Sequence, residues 1–398
     1  MRISTAHAFD AVVEQLQQRQ SDLAETQLQL SSGKRVSRPS DDPAAAARAE
    51  RMLAVQARNT ASQRAVDASR NAMSLTDTAL GSATDLVQQV REALIQAGNA
   101  SLGNTDRQSL AATLAGLRSQ LLTVANSSDG AGGYLFGGQG SSSPPFSDAP
   151  GGVVFNGTSG QNSVSNGEPL PTALDGAATW LQARTGNGVF ETSAITSNGS
   201  AVIDTGQVTD PSKLTGATYQ VQFSVSGSAT SYTVLKNGAA TALTNVSYTS
   251  GQAIGIDGIS FTISGAPANG DSFGVQPSTP TLSVFGAIDK AVAALGNPNQ
   301  TASSATQAVN FGVRDVDAAL SQLQSARSQV GGVLNRLDDS SSQLSAQTQA
   351  AQTAQSQAED LDMVQAISNF QNQQTAYQAA LQAYSTVQRL SLLQYINN

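Results

Sequence analysis

Residues 30–54 read LSSGKRVSRPSDDPAAAARAERMLA, an order of residue types that closes one helix and opens another. Gly33 reaches positive φ without steric penalty and suits a helix C-terminal cap. Lys34 and Arg35 complement the negative end of the preceding helix dipole. Pro39 biases Arg38 away from the α region. Asp42, with Asp41 beside it, offers an N-cap carboxylate. Pro43 fits the first helical position, where its missing N–H costs nothing. Ala44 to Ala47 propagate the new helix with little loss of entropy. Gly33, Pro39, Asp41, Asp42 and Pro43 therefore mark an expected joint between two helices.

The flanking sequence is helical by count. Phe9, Leu16, Leu23 and Leu30 recur every seven residues. Beyond the joint, Met52, Asn59, Val66, Met73, Leu80, Val87 and Leu94 do the same. Near the other end Val316, Leu323, Val330, Leu337 and Leu344 repeat the spacing, with Leu320 and Leu334 as companions. Met363, Phe370, Tyr377 and Tyr384 follow, joined by Ile367 and Leu381. An apolar residue every seven lays a narrow seam along a helix, the pattern of coiled-coil packing. An unbroken helix over 43–97 would be ~80 Å long. It should end near Gly98, with a shorter antiparallel helix over 105–126. From Leu344 to Met363 the spacing is no multiple of seven, so the C-terminal seam changes register within SAQTQAAQTAQSQAED (345–360).

The middle is different. It is rich in Gly, Ser, Thr and Asn, with short alternating runs. TYQVQFSV places Tyr219, Val221, Phe223 and Val225 on one face; GISFTISG does the same for Ile259, Phe261 and Ile263. Asn237-Gly238 is a hairpin signal. Residues 147–200 show no periodic pattern. The expected fold is mainly α with an inserted β domain, a long antiparallel helical rod built from both chain ends. Its parts are a terminal coiled-coil domain (1–40 and 361–398), a helical rod domain (41–146 and 282–360) and a β-rich outer domain (147–281).

Composition narrows the function. Charged residues are 13% of the chain, about half the ~25% usual for soluble domains, which weakens electrostatic protection against self-association. The net charge is −8. Residues 1–144 carry 13 basic and 13 acidic side chains, 145–280 carry 3 and 8, and 281–398 carry 5 and 8. No segment has the basic excess of a nucleic-acid or anionic-membrane binder. Absence of cysteine excludes disulfides, thiol catalysis and Cys-based metal sites. The N-terminal stretch shows no apolar h-region or cleavage site, and no run of ~18 apolar residues occurs.

No catalytic or phosphate-binding motif is present. GGYLFGGQG (132–140) lacks the strand and helix that a nucleotide loop requires, and reads as turns. His7 is a lone imidazole without neighbours for a site. Asp41-Asp42 before Pro-Ala-Ala reads as capping rather than as a metal pair. Trp180 reads as core of the β domain. No cofactor or metal is expected, and no enzyme activity. Arg48, Arg51, Arg58, Arg64 and Arg70 stud the second helix, while Asp338, Asp339, Glu359, Asp360 and Asp362 lie on the C-terminal arm. Antiparallel packing would bring the two sets together, within a subunit or between subunits, with a small energy per exposed pair and a role in register.

These residues resemble the flagellin superfamily of bacteria. LSSGKRVSRPSDDPAAAARA is similar to its turn, basic loop and DD-P/A helix start. GGYLFGGQGSSSPPF (132–146) and the ending AYSTVQRLSLLQYINN resemble the hook-associated protein 3 family within it. ISGAPANGDSFGVQ (263–276) resembles a strand pair common among hook-associated proteins. The resemblance implies export through the flagellar type III channel with an uncleaved signal, and so a cytoplasmic stage followed by an extracellular one on the flagellum. It implies a ring of copies at the hook–filament junction, between a hook-side junction protein and flagellin. It further implies an export chaperone on the C-terminal helix, about 360–398.

The seam residues Phe9, Leu16, Leu23, Leu30, Met363, Ile367, Phe370, Tyr377, Leu381 and Tyr384 are then the expected assembly surface. They would be disordered in the monomer and ordered on docking, because side-by-side pairing in one chain hardly offsets ~1–2 kcal/mol of backbone entropy per residue. Two alternatives carry different expectations. A flagellin would build the filament itself. A surface adhesin on helical arms would need a ligand site within 147–281.

Overall fold

The computed structural model describes residues 3–99, 101–160, 163–165 and 169–396, and within them the side chains of all but 3–9, 163–165, 169 and 387–396. Phe9, His7 and the side chains after 386 therefore lie outside the described residues. The helices are α1 (Ile3–Ser32), α2 (Pro43–Ala97), α3 (Asn104–Ala125), α4 (Gly176–Trp180), α5 (Val284–Leu295), α6 (Ala302–Glu359) and α7 (Met363–Ile396). The chain divides into a terminal unit, residues 1–64 with 340–398, and a central unit, residues 65–339. The divisions fall inside α2 and α6, whereas the helix breaks fall at 33–42 and 360–362.

In the terminal unit α1 packs on α7. The first part of α2 packs on the last part of α6 through Gln56–Gln355 (2.7 Å), Asn59–Thr348 (3.3 Å) and Gln63–Ser341 (3.0 Å). Partner numbers fall along α6 as they rise along α2, so the pair is antiparallel. Ala45, Ala49, Ala351 and Ala358 are buried. Small residues let the backbones approach, and the Gln and Thr side chains bond across the seam. That arrangement accounts for the low charge of the sequence.

Within the central unit α2 and α6 also run antiparallel. Val66, Met73, Leu80, Val87 and Leu94 are buried, as are Val316, Leu323, Val330 and Leu337. The predicted heptads are the helical core. Buried Thr76 and Thr84 donate to Ala72 and Leu80 carbonyls one turn back, so their hydroxyls enter the core already satisfied. Arg91–Asp317 (2.6 Å), Arg327–Asp77 (2.8 Å) and Arg70–Asp338 (2.5 Å) line the edges. Helix α5 packs on α3, where Arg118 spans Asp289 (2.8 Å) and Asp148 (2.5 Å).

The strands are β1 (Phe146–Ala149), β2 (Gly152–Phe155), β3 (Ser163–Ser165), β4 (Pro169–Pro171), β5 (Phe190–Thr196), β6 (Val202–Ile203), β7 (Gln207–Val208), β8 (Tyr219–Ser226), β9 (Ala229–Lys236), β10 (Ala239–Ala240), β11 (Val246–Ser247), β12 (Ala253–Ile256), β13 (Ile259–Ser264) and β14 (Ser272–Pro277). One sheet runs β10-β9-β8-β14-β5, with β11 on β9. A second runs β12-β13-β6, with β7 on β13. Tyr219, Val221 and Phe223 of the first sheet share one core with Ile259, Phe261 and Ile263 of the second. The alternation read from the sequence therefore names the inward faces. Asn237 (φ 50°) and Gly238 (φ 84°) make the hairpin between β9 and β10.

Two expectations change. The ISGAPANGDSFGVQ segment holds two strands that do not pair with each other: β13 lies in the second sheet, and β14 pairs with β5 and β8. Buried Asp271 explains the crossing, since its carboxylate accepts from the N–H groups of Asn198, Gly199 and Ala268 and holds the connecting loop. Trp180 is fully buried, but on α4 and among Phe136, Phe146 and Phe285 rather than in the sandwich core. This aromatic cluster ties the irregular segment to α5. Around it, Gly138 (φ 69°) passes so close to the Thr158 carbonyl that a Cβ would stand 1.9 Å from it. The GGYLFGGQG glycines are required by backbone packing and turns.

Candidate assembly site: the helix joint and the terminal seam

At the joint of the opening stretch, local hydrogen bonds close one helix and start the next. Gly33 has φ 70° and its N–H donates to Gln29 O (2.8 Å), which closes α1. The Asp42 carboxylate accepts from Ala45 N–H (2.9 Å) and caps α2 at Pro43. Asp41 accepts from the N–H groups of Arg38 (2.8 Å) and Ser37 (3.0 Å), which folds the loop that carries Pro39.

Lys34 and Arg35 do not serve the end of their own helix. The Arg35 guanidinium donates to Ala358 O (2.8 Å), and the N–H groups of Arg35 and Val36 donate to Glu359 O (2.7 and 3.3 Å). Lys34 pairs with the Glu359 carboxylate (3.2 Å). Because the Gly33 cap already closes α1, the basic loop is free to close the exposed carbonyls of α6. In return Leu361 N–H donates to Gly33 O (2.9 Å), and Asp362 accepts from Val364 and Gln365 N–H (both 3.1 Å) to start α7. The two helix breaks are one interlocked structure. The C-terminal break lies at the very end of the stretch where the heptads change register. Glu359 and Asp362 are functional parts of the joint that the heptad count alone does not flag, although an acidic residue just before an apolar helix is an N-cap signal.

Hydrogen bonds hold the carboxyls of Asp41 and Asp42 below the usual range, from the Arg38 backbone N–H in the first case and from the Ala45 backbone N–H, then the Arg35 guanidinium, in the second. A lowered folded-state pKa means that the stabilisation is present above the ordinary carboxylate range and is lost as pH falls through the lowered value. Protection of the Ala45 amide from hydrogen exchange should therefore drop on acidification below about pH 4. Asp42→Asn, which keeps an acceptor without the titration, should make that protection flatter with pH.

The terminal seam is made by fewer of the expected residues than the spacing suggests. On α1, Leu16, Leu23 and Leu30 are half-buried, and Thr26 is buried with its hydroxyl on Gln373 Oε1 (2.8 Å). On α7 the face turned inward is Ala366, Phe370, Gln373, Tyr377, Ala380 and Tyr384, at alternating spacings of four and three. Met363, Ile367 and Leu381 stand beside it, 45%, 46% and 42% exposed, and Val364 is 82% exposed. The apolar stripe of α7 is thus wider than α1 covers. The polar pair Thr26–Gln373 and buried Ala366 were not distinguishable from surface residues by hydropathy.

Of the five arginines considered for arm pairing, Arg70 alone meets a carboxylate of the named set, Asp338. Glu359 is taken by Lys34 and Asp362 by the α7 cap. The register is carried instead by Arg91–Asp317 and Arg327–Asp77, in both directions across the pair. Among the described residues no group of three His, Asp or Glu gathers as a metal would require, and no helix is long and apolar enough to cross a membrane. An open groove of about 950 Å³ is lined by Arg184, Asn187, Asp204, Arg314, Asp317 and Gln322, among others. The Arg314 side chain there is buried against Glu191 and Asp315, and Asp317 is held by Arg91.

Comparison with known proteins matches three parts of the chain. The bacterial flagellin N-terminal helical region matches residues 3–141, and the flagellin C-terminal helical region matches 313–396. The D2-like domain of flagellar hook-associated protein 1 matches 193–277, the two-sheet sandwich. Flagellar hook-associated protein 3 of Escherichia coli is 28% identical over 402 residues, 99% of either chain. The crystal structure of Xanthomonas campestris FlgL is 31% identical, with TM-score 0.67 over 77% of this chain and 99% of that one. This chain belongs to the flagellar hook-associated protein 3 family. The Legionella pneumophila hook-associated protein 3 structure agrees in fold, at 26% identity, with TM-score 0.69 over 76% of this chain and 96% of that one. Flagellin-like terminal helices and an inserted β domain are the family's architecture, and both are found here.

Proposed function

We propose that this protein is a structural component of the bacterial flagellum, forming the ring that joins hook to filament. Membership of the hook-associated protein 3 family supports that location, and the terminal helices α1 and α7 support assembly through them. The single observation that carries the mechanism is the uncovered flank of α7. Met363, Ile367 and Leu381 are apolar, exposed and adjacent to the face already packed on α1. Such a stripe on a lone chain is a liability unless a second surface covers it.

One pairing is a thin support for both helices. Helix α1 has 30 residues and α7 has 34, each costing ~1–2 kcal/mol of backbone entropy to order, while the seam leucines and tyrosines are only half-buried. Neighbouring copies supply the remaining burial, so the ends are firm in the assembly and loose in the monomer. The same uncovered stripe fits an export chaperone that holds the C-terminal helix before passage through the type III channel. The outer neighbours in this reading are a hook-side junction protein on one face of the ring and flagellin on the other.

The flagellin reading has one observation in its favour, since the matched helical regions are those of flagellin itself. Deleting the gene separates the two. A junction protein leaves hooks without filaments and sheds monomeric flagellin into the medium, whereas loss of a filament subunit sheds none. Hooks that still carry filaments after deletion would overturn the junction assignment.

A further inference from the structure

Charge in the terminal unit is balanced but segregated. It holds ten basic and ten acidic residues. Yet α1 carries Asp10, Glu14, Asp22 and Glu25 against Arg19 alone, while residues 43–64 of α2 carry Arg48, Arg51, Arg58 and Arg64 against Glu50 alone. Asp10, Glu14 and Glu25, four and eleven residues apart, fall on one side of α1. At 100° per residue that side is opposite to Leu16, Leu23 and Leu30, which pack on α7. All three carboxylates are exposed. Arg48, Arg51 and Arg58, three and seven residues apart, fall on one flank of α2 and are exposed too. Among the described residues, none of these six side chains is in an ion pair. At the joint, Lys34, Arg35, Asp41 and Asp42 are satisfied locally, whereas exposed Arg38 is in no ion pair among the described residues.

We infer that the acidic side of α1 docks on the basic flank of α2 in the next copy of this chain. The inference rests on the self-assembling reading above and names the contact that sets neighbour against neighbour. A unit of zero formal charge has no reason to attract a partner of one sign. One whose charges are sorted onto two separate surfaces is complementary to itself. The rows are of comparable length, on the order of 22 Å from Asp10 to Glu25 and 15 Å from Arg48 to Arg58 along their helices, and arginine side chains reach beyond their own helix. Because the two surfaces differ, the contact is head-to-tail, the type that closes into rings or continues as a helix. Exposed pairs are weak singly and act mainly on register and encounter rate, and repetition around a ring makes them count together.

Charge reversal tests this in cells lacking their own copy of the gene. Arg51→Glu with Arg58→Glu, and separately Asp10→Arg with Glu14→Arg, should each abolish attached filaments while the protein still reaches the medium. The chain carrying all four changes should recover attachment, because complementarity is restored in mirror image. Failure of the four-fold variant to recover, or full attachment with either pair alone, overturns the inference. A second measurement does not depend on tolerance of reversed charge. The chain has no cysteine, so Glu14→Cys with Arg58→Cys can cross-link only at the chosen positions. Mild oxidation of assembled flagella should give a ladder of covalent multimers, absent with either cysteine alone. No ladder overturns the contact. If wild-type protein itself fails to restore filaments, the junction reading fails instead; if wild type restores them and the ladder is missing, only the contact proposed here is lost.

Discussion

A chain lacking residues 1–32 should keep the cooperative unfolding of its central unit and lose assembly altogether. The central unit has its own helical core, with Met73, Leu80, Val87 and Leu94 buried against Val316, Leu323 and Val330, and its own sandwich core. All of those residues lie in the central unit, outside the deleted segment. What disappears is the partner of α7. Phe370, Tyr377 and Tyr384 would join Met363, Ile367 and Leu381 in solvent, and Gln373 would lose Thr26. Thermal unfolding of the purified truncated chain, alongside microscopy of cells that express it, checks both halves. Attached filaments in those cells would refute assembly through α1. A truncated chain without a cooperative transition would refute the independence of the central unit.

Trp180→Ala should cost about 3–5 kcal/mol of central-unit stability, the usual range for emptying a large aromatic site. The indole is fully buried, stacked on Phe285 at 5.6 Å and edge-on to Phe136 at 5.3 Å. Phe146 completes the cluster at 6.3 Å. The expected fall in melting temperature is of the order of ten degrees. Since Trp180 is the sole tryptophan, its fluorescence follows unfolding of the wild type, and circular dichroism must follow the variant. A shift of less than about 1 kcal/mol would mean that the cluster repacks freely.

What was legible in the sequence was whatever repeats. The sevenfold spacing of Met73 to Leu94 and of Val316 to Leu337 named the helical core, and the alternation at 219–223 and 259–263 named the sandwich core. Gly33 and Asp42 were legible because caps use a short menu of residues. The stretch 147–200 was not, since much of it is held by the three- and four-residue ladders β3-β4 and β1-β2 and by carbonyls such as Leu174 and Thr158 that no side-chain pattern reports. The partner of the basic loop was equally hidden. Arg35 lies near α1 in sequence, but its guanidinium bonds to Ala358, more than three hundred residues away. In the terminal seam, hydropathy pointed to Met363, Ile367 and Leu381, whereas Ala366, Gln373 and Ala380 face inward. A helix with apolar residues on two adjoining sides does not say which side its first partner takes.

The stapling of Gly33 to Leu361 and of Arg35 to Glu359 has a consequence for how such a chain can change over generations. A residue inserted at 33–36 displaces its counterpart strand at once, and both adjoining helices must rotate by about 100° to follow. Length variation in one linker therefore demands a matching edit in the other, on the far side of the gene. The four residues from Ser37 to Ser40 make none of those crossing backbone bonds, so an insertion there disturbs the loop that Asp41 closes and leaves the crossing bonds in register.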